Sequence, residues 1–291
     1  MRRSWLAFLL AGLVSGAVAE PRIINGTTVT QSRDFQVAMF VYSNGGYGFF
    51  CGGSLINQKY VLTASHCVDD LKVTDDLLMV IGDLTPFDAD GEERKVTKIY
   101  MHPSYNPNTM VGDIAIMELE DASTKTPIGL QSSSPNESES LVVQGWGKTL
   151  TANFSQVLLE ATVEVQNQTQ CANAYANAGD DGYAPINITS NMLCASAADT
   201  DSCQGDSGGP LMEEFGSGFQ QVGVVSFGIG CALADYPGVY TRITSYRSWI
   251  DSVVVGNGTV TIGRSKKASS LGFGVLALGL ILLLIRRKSV S

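Results

Sequence analysis

The chain has 291 residues, of which 44% are hydrophobic and 16% charged, and its formal net charge is −9. Nine of the 19 basic residues lie in residues 1–22 or 264–291, whereas 27 of the 28 acidic residues lie between these two ends. So acidic a body repels nucleic acid and attracts cationic ligands, and we therefore expect no nucleic-acid partner.

The amino-terminal end has the composition of a targeting segment. Residues 1–19 contain Arg2 and Arg3, then an apolar run, then the small residues Ala17-Val-Ala19. This order is typical of a secretory signal peptide that is removed after export. The apolar run is too short to span a membrane as an anchor. The pattern therefore predicts an exported protein that is extracellular or attached to the cell surface.

Short apolar segments, separated by Gly, Pro, Asn and Asp, follow the signal peptide. No helical period intervenes between them, which is typical of a β-barrel or a β-sandwich. After the last segment, apolar side chains at helical spacing predict a late helix that begins near Ile243. A Ser-rich stretch at 131–140 predicts a boundary between domains at 23–130 and 131–255. The predicted strands are residues 35–41, 54–64, 77–81, 96–101, 114–119, 141–144, 161–165, 222–227 and 238–243.

All six cysteines lie between Cys51 and Cys231. An even number of cysteines in an exported chain predicts disulfides, here three, although spacing alone does not fix their pairing. The alternative is a zinc site, which needs closely spaced pairs of Cys or His. The sequence has no such pairs and only two histidines, so disulfides are the better interpretation.

One ten-residue segment carries the strongest chemical signal, Asp201-Ser-Cys-Gln-Gly-Asp-Ser-Gly-Gly-Pro210. A serine hydroxyl is a weak nucleophile unless a base accepts its proton and N–H donors hold the oxyanion that forms. Gly205 and Gly208 allow the tight backbone turn that such donors need. The segment resembles the active-site segment of the chymotrypsin/trypsin family of serine proteases, with Ser207 as the nucleophile.

Two further segments match the same family. His66 lies in Val61-Leu-Thr-Ala-Ser-His-Cys67, and Asp113 lies in Gly112-Asp-Ile-Ala-Ile-Met117. A neutral imidazole can accept the serine proton, and a carboxylate can hold its other nitrogen. The order His66, Asp113, Ser207 is that of the chymotrypsin group. The other histidine, His102, is interpreted as structural.

The resemblance implies an all-β fold of two packed antiparallel six-stranded β-barrels with a C-terminal α-helix. It implies an oxyanion hole formed by the N–H groups of Gly205 and Ser207. It also implies a primary pocket with Asp201 at its floor, where a carboxylate would pair with Arg or Lys. The remaining implied residues are those of the pocket, Ser226, Gly228 and Gly238, and the disulfides Cys51–Cys67, Cys171–Cys194 and Cys203–Cys231.

Residues 20–22 resemble a short activation propeptide. Cleavage after Arg22 would create an ammonium group on Ile23, and in the family this terminus pairs with the aspartate before the nucleophile, here Asp206. A buried carboxylate without a partner is costly, so this pair can switch the loop between two states. An activating protease is therefore an expected partner. The alternative is that Arg22 is simply an exposed residue near a terminus.

A loop rich in acids resembles the calcium loop of the family, with Asp83, Asp90 and Glu93 as candidate ligands. Calcium prefers such oxygen ligands, although most acid-rich loops are simply solvated. The predicted chemistry itself requires no cofactor, so any calcium would be structural.

The carboxyl-terminal end carries a second targeting pattern. A linker at 256–270 precedes an apolar run at 271–285, which ends in Arg286-Arg-Lys288. The positive-inside rule would leave this basic end in the cytoplasm and the protein body outside. Segment 271–288 resembles bacterial C-terminal sorting signals that are trimmed after export, with a retained membrane anchor as the alternative. The basic end argues against a lipid-anchor signal, which normally ends in its apolar stretch.

The sequence thus predicts an exported zymogen of a trypsin-like serine endopeptidase that cleaves protein or peptide substrates after Arg or Lys. Two alternatives stay open. One is a catalytically inactive homologue that acts as a binding module, although such proteins usually lose a residue of the triad. The other is an active protease with chymotrypsin-like or elastase-like preference.

Overall fold

The computed structural model describes residues 26–31, 33–73, 75–88, 91–149, 152, 154–197, 204–230 and 233–256. Two α-helices, α1 (Gln168–Ala176) and α2 (Ile243–Val254), accompany fourteen strands within these residues. Short 3-10 helices lie at Ser65–Cys67 and Ala178–Asp181. The strands are β1 (Thr27–Thr28), β2 (Gln36–Ser43), β3 (Gly46–Asn57), β4 (Tyr60–Thr63), β5 (Leu77–Ile81), β6 (Glu92–Met101), β7 (Ala115–Leu119), β8 (Gly129–Leu130), β9 (Ser140–Gly145), β10 (Leu159–Val165), β11 (Met192–Ser196), β12 (Pro210–Phe215), β13 (Gly218–Phe227) and β14 (Gly238–Arg242).

The first barrel is a closed antiparallel ring in the order β2-β3-β4-β7-β6-β5. Successive side chains of a strand point to opposite faces, so alternate residues of β2 face different surroundings. Val37 and Met39 belong to the buried core of this barrel, whereas Ala38 and Phe40 join the layer between the two barrels. The first barrel is therefore apolar on the inside and also on the face that meets the second barrel.

The second barrel is the ring β9-β10-β11-β14-β13-β12, which closes because β12 also pairs with β9. Leu141 and Val143 of β9 lie in its core together with Leu211 and Tyr240. The short strands β1 and β8 add to this ring outside its closed path. Two six-stranded antiparallel barrels with a late helix confirm the predicted fold class.

The ends of the described chain cross between the barrels. Strand β1 pairs with β10 of the second barrel, although it precedes the first barrel in sequence. Helix α2 follows the second barrel, but its apolar side chains Tyr246 and Ile250 join the core of the first. Trp146 is fully buried in the layer between the barrels. The two barrels are therefore joined by both β1 and α2 as well as by the apolar layer that contains Trp146.

Several elements differ from those predicted. The predicted strand at 54–64 is divided, because a turn at 58–59 separates β3 from β4. Helix α1, strands β1, β8, β11 and β12 and residues 46–53 of β3 were not predicted. Only Cys171 and Tyr175 are buried in α1, so it has no apolar stripe, and its signal is the N-cap Asn167, whose side chain accepts from the N–H groups of Thr169 and Gln170.

Two of the three predicted disulfides, Cys51–Cys67 and Cys171–Cys194, are confirmed. The predicted Cys203–Cys231 pair lies outside the described residues, as do the signal peptide, the propeptide and segment 271–288. No helix in the described part of the chain is long and apolar enough to cross a membrane.

Candidate active site

His66 is held in place from both sides of its backbone. It lies in the 3-10 helix Ser65–Cys67, directly after β4. On one side, Cys67 is bonded to Cys51 of β3. On the other, the hydroxyl of Ser65 donates to the carbonyl of Ile114 at 2.7 Å. The Ser65 hydroxyl therefore ties the segment of His66 to the residue that follows Asp113.

Asp113 is completely buried and receives both N–H groups that His66 can offer it. Its Oδ1 accepts from the His66 backbone N–H at 2.8 Å, and its Oδ2 lies 2.8 Å from His66 Nδ1. The hydroxyl of Ser226 also donates to Oδ2. Because the carboxylate accepts a hydrogen bond from Nδ1, the neutral ring carries its proton on Nδ1 and the lone pair of Nε2 is available.

The charge around His66 favours the protonated ring. Burial alone would lower the pKa of His66, because it removes water from the charged form. The charge of Asp113 and its hydrogen bond oppose this, and Asp69 adds to them, so the pKa is raised above its usual value of 6.5. The His66 side chain remains 24% exposed, so a substrate can still reach the ring.

Ser207 lies on a loop of the second barrel that is bonded to both barrels. Its carbonyl accepts from the N–H of Gly52 in β3 at 2.8 Å. The next residue, Gly208, donates to the carbonyl of Val225, which precedes Ser226 on β13. Gly208 has a φ of +79°, and a Cβ there would collide with Thr63 on β4. The serine is therefore anchored beside the strand that leads to His66.

The hydroxyl of Ser207 makes no hydrogen bond to His66 within the described residues, and His66 Nε2 lies 3.8 Å from Cys67 Sγ. Hydrogen bonds of this kind often form only when substrate binds. The N–H groups of Gly205 and Ser207 donate to no other group in the described part of the chain, so both are available to an oxyanion.

The carboxylate of Asp206 is buried in a space made by two glycines. The N–H of Gly147 donates to its Oδ1 at 2.8 Å. A Cβ on Gly145 or Gly147 would collide with this carboxylate, so neither position tolerates a side chain without movement. Arg22 and Ile23, the predicted activation residues, lie outside the described residues.

The predicted pocket is described in part. A Cβ on Gly228 would meet no atom closer than 3.9 Å, and the Cα of Gly238 would be 4.0 Å away. A Cβ at Gly228 would thus make only ordinary van der Waals contacts, whereas Asp201 lies outside the described residues. The family resemblance assigned Ser226 to the pocket and did not predict its hydroxyl contact with Asp113. No local pattern could have signalled a contact between residues so distant in sequence.

The proposed calcium ligands are incomplete among the described residues. Asp83 Oδ2 is buried without a hydrogen-bond partner there, but Glu93 is exposed and Asp90 lies outside them. Calcium takes about six to eight oxygen ligands, so these residues alone do not fit the ion. Among the described residues, one group of potential metal ligands lies close together, namely Cys51, His66 and Cys67. Its two sulfurs are already joined as a disulfide.

A cleft of 360 Å³ lies elsewhere, on the second barrel, where Arg33 and Glu160 are among its lining residues. None of His66, Asp113 and Ser207 lines it.

Comparison with known proteins identifies the family. A family model described as Trypsin matches residues 23–250. Trypsin delta of Drosophila melanogaster is 37% identical over 238 residues, which cover 79% of this chain and 88% of that protein. This chain belongs to the trypsin family of serine proteases. Trypsin 5G1 of Aedes aegypti is 39% identical over 242 residues, covering 80% of this chain and 85% of its own length.

A solved structure agrees with the trypsin-family assignment. Neuropsin, a serine protease expressed in the limbic system of mouse brain, matches with a TM-score of 0.67 and 29% sequence identity. The match covers 79% of this chain and 99% of the neuropsin chain.

Proposed function

We propose that this trypsin-family protein is an endopeptidase in which Ser207 is the nucleophile, His66 the general base and Asp113 the group that orients the base. One observation carries the proposal. The buried carboxylate of Asp113 accepts from both the backbone N–H and Nδ1 of His66, which leaves Nε2 as the only basic atom of the ring.

The reaction is acyl transfer followed by hydrolysis. The Ser207 oxygen bonds to the carbonyl carbon while its proton passes to His66 Nε2, and the N–H groups of Gly205 and Ser207 hold the oxyanion. The C–N bond then breaks, and His66 returns the proton to the leaving amine. Water attacks the acyl-enzyme by the same route and releases the acid and the free serine.

We further propose cleavage after Arg or Lys. The support is Asp201, six residues before Ser207 in a motif of the family, together with Gly228 and Gly238 at the positions where the family has small residues. A carboxylate at the pocket floor would pair with a cationic side chain and exclude acidic ones. The names of the relatives, all trypsins, favour this preference over the chymotrypsin-like or elastase-like alternatives.

Activation is proposed to follow cleavage after Arg22 by another protease. The new ammonium group of Ile23 would pair with the buried carboxylate of Asp206, for which Gly145 and Gly147 make room. Because Asp206 adjoins Ser207, such a contact would order the serine loop. The signal-peptide pattern and the disulfides support an extracellular location, and segment 271–288 supports a stage at the membrane.

The test is hydrolysis of Arg-containing and Lys-containing peptides before and after limited treatment with trypsin, which is then inhibited and removed. We expect activity only after treatment, and none with the Ser207→Ala variant. An Arg22→Gln variant should stay inactive because its activation bond is lost. Full activity of Ser207→Ala would refute the nucleophile, and normal activity of uncut Arg22→Gln would refute the zymogen.

A further inference from the structure

A second carboxylate lies close to His66 on the chain. Asp69 follows His66 by three residues, after the 3-10 helix Ser65–Cys67. Two hydrogen-bonded turns follow along this segment. The Val68 N–H donates to the Ser65 carbonyl at 2.9 Å, and the Leu71 N–H donates to the Val68 carbonyl at 3.1 Å. Asp69 therefore lies one hydrogen-bonded turn along the chain from His66 and is partly buried, whereas its neighbour Asp70 is exposed.

Tyr105 fixes the position of the Asp69 carboxylate. Its hydroxyl donates to Asp69 Oδ2 at 3.3 Å, and its own N–H donates to the carbonyl of His102 at 2.9 Å. Burial and the charges of Asp113 and Asp69 raise the pKa of Tyr105 far above its usual value. The phenol therefore stays protonated, so it remains a donor. It lies on the loop that leads to Asp113, which brings two carboxylates to one tyrosine.

The electrostatic influence between Asp69 and His66 runs in both directions. Burial raises the pKa of Asp69, and the charge of Asp70 adds to this, whereas Tyr105 and His66 lower it. In turn, the charge of Asp69 raises the pKa of His66, after the larger contribution of Asp113. The charged groups that act on the ring are thus Asp113, from the loop before β7, and Asp69, from its own segment. Tyr105 contacts Asp69 and not the ring.

We propose that Asp69 is a second carboxylate partner of His66, a positioning residue that stabilises the protonated imidazole formed when Ser207 attacks. This rests on the proposed function for the role of His66, but not for the charge interaction between the two side chains. Asp113 acts through a hydrogen bond from the buried side. Asp69 acts through space from a partly exposed side, so salt screens its contribution much more strongly.

Proton NMR titration of His66 tests its charge interaction with Asp69 and does not require an active enzyme. The sequence has only two histidines, so His102 serves as an internal reference. In a Ser207→Ala background, Asp69→Asn should lower the pKa of His66 by about 0.3–0.6 pH unit, and the decrease should shrink in high salt. Asp70→Asn is the matched control and should leave it unchanged. An unchanged pKa in Asp69→Asn, or an equal decrease in Asp70→Asn, would overturn the proposal.

The pH dependence of kcat/KM tests the catalytic consequence. In the active enzyme, the acid limb of Asp69→Asn should move down by the same amount as the pKa of His66 in the NMR titration. An acid limb that coincides with that of the wild type would show that Asp69 does not act on the reaction. A wild type with no activity would instead refute the proposed function. The NMR comparison would still show whether Asp69 interacts with His66.

Discussion

The two histidines of the chain differ in their properties because their hydrogen-bond partners differ. Nδ1 of His66 faces the carboxylate of Asp113 at 2.8 Å. Nδ1 of His102 instead accepts from the N–H of Ser104 at 3.2 Å and lies 2.7 Å from the Ser104 hydroxyl. The His102 ring also packs edge-on against the aromatic rings of Tyr246 and Trp249 of α2.

These surroundings shift the pKa values of the two histidines in opposite directions. Burial lowers the pKa of His102, and no charged partner opposes it among the described residues. At His66 burial also lowers the pKa, but the charge of Asp113, its hydrogen bond and the charge of Asp69 together outweigh burial and raise the pKa. His102 therefore stays neutral and holds α2 against the first barrel, whereas His66 is prepared to take up a proton. The difference lies in the partner, a carboxylate in one case and a hydroxyl in the other.

The largest effect is expected when the carboxylate partner is removed. Asp113→Asn keeps the shape of the side chain but offers an N–H where His66 needs an acceptor, so kcat should fall about 10⁴-fold. His102→Gln is the matched change at the other histidine and should cost stability but little activity. Peptide hydrolysis and thermal unfolding of both variants measure the contrast. A loss of less than tenfold in Asp113→Asn would contradict the assigned role.

The next effect concerns the substrate. Asp201→Ser should reduce kcat/KM for Arg and Lys substrates by about 10²- to 10³-fold, because a buried cationic side chain would lose its partner. Asp199→Ser, two residues earlier, is the control and should change little. A panel of short chromogenic peptides reads the preference. Retained preference in Asp201→Ser would mean that another group forms the pocket floor.

A smaller effect is expected at Ser226, whose hydroxyl donates to the Asp113 carboxylate. Ser226→Ala should lower kcat/KM about tenfold, since a hydrogen bond to a buried charge is lost. Ser104→Ala makes the equivalent change beside His102 and should leave kcat/KM unaltered. Equal effects of the two substitutions would indicate a general loss of stability.

The smallest effect is a displacement of the pH profile. His66 must be neutral to accept a proton, so activity should fall as the pH drops through its pKa. Because that pKa is raised by Asp113, the acid limb of kcat/KM should lie above 6.5 in the wild type. In Asp113→Asn, whose charge is gone, the residual activity should show a limb at lower pH. An unmoved limb would assign the titration to another group.

Sequence patterns predicted the parts of the molecule that depend on local signals or on family motifs. The barrels, two disulfides and the pairing of His66 with Asp113 were predicted, because their segments carry distinctive residues. Contacts between distant segments were not. The Ser226 hydroxyl on Asp113 and the Thr241 hydroxyl on the Asp113 carbonyl arise only when β13 and β14 pack against the first barrel.

Local weakness explains the missed elements. Helix α1 buries only Cys171 and Tyr175, so its apolar residues form no periodic stripe. The turn between β3 and β4 lies in the polar run Asn57-Gln-Lys59, which contains neither Gly nor Pro and is short enough to be read as part of one strand. Its local signal is Asn57, whose Oδ1 accepts from the Lys59 N–H at 3.2 Å.

Labelling by a fluorophosphonate, followed by mass mapping of the adduct, tests the central claim most directly. The activated wild type should carry one adduct on Ser207, and a His102→Gln variant should react at a similar rate. A His66→Ala variant should react far more slowly, because no base remains to take the serine proton. An adduct on another residue, or an unchanged rate in His66→Ala, would contradict the assignment of Ser207 and His66.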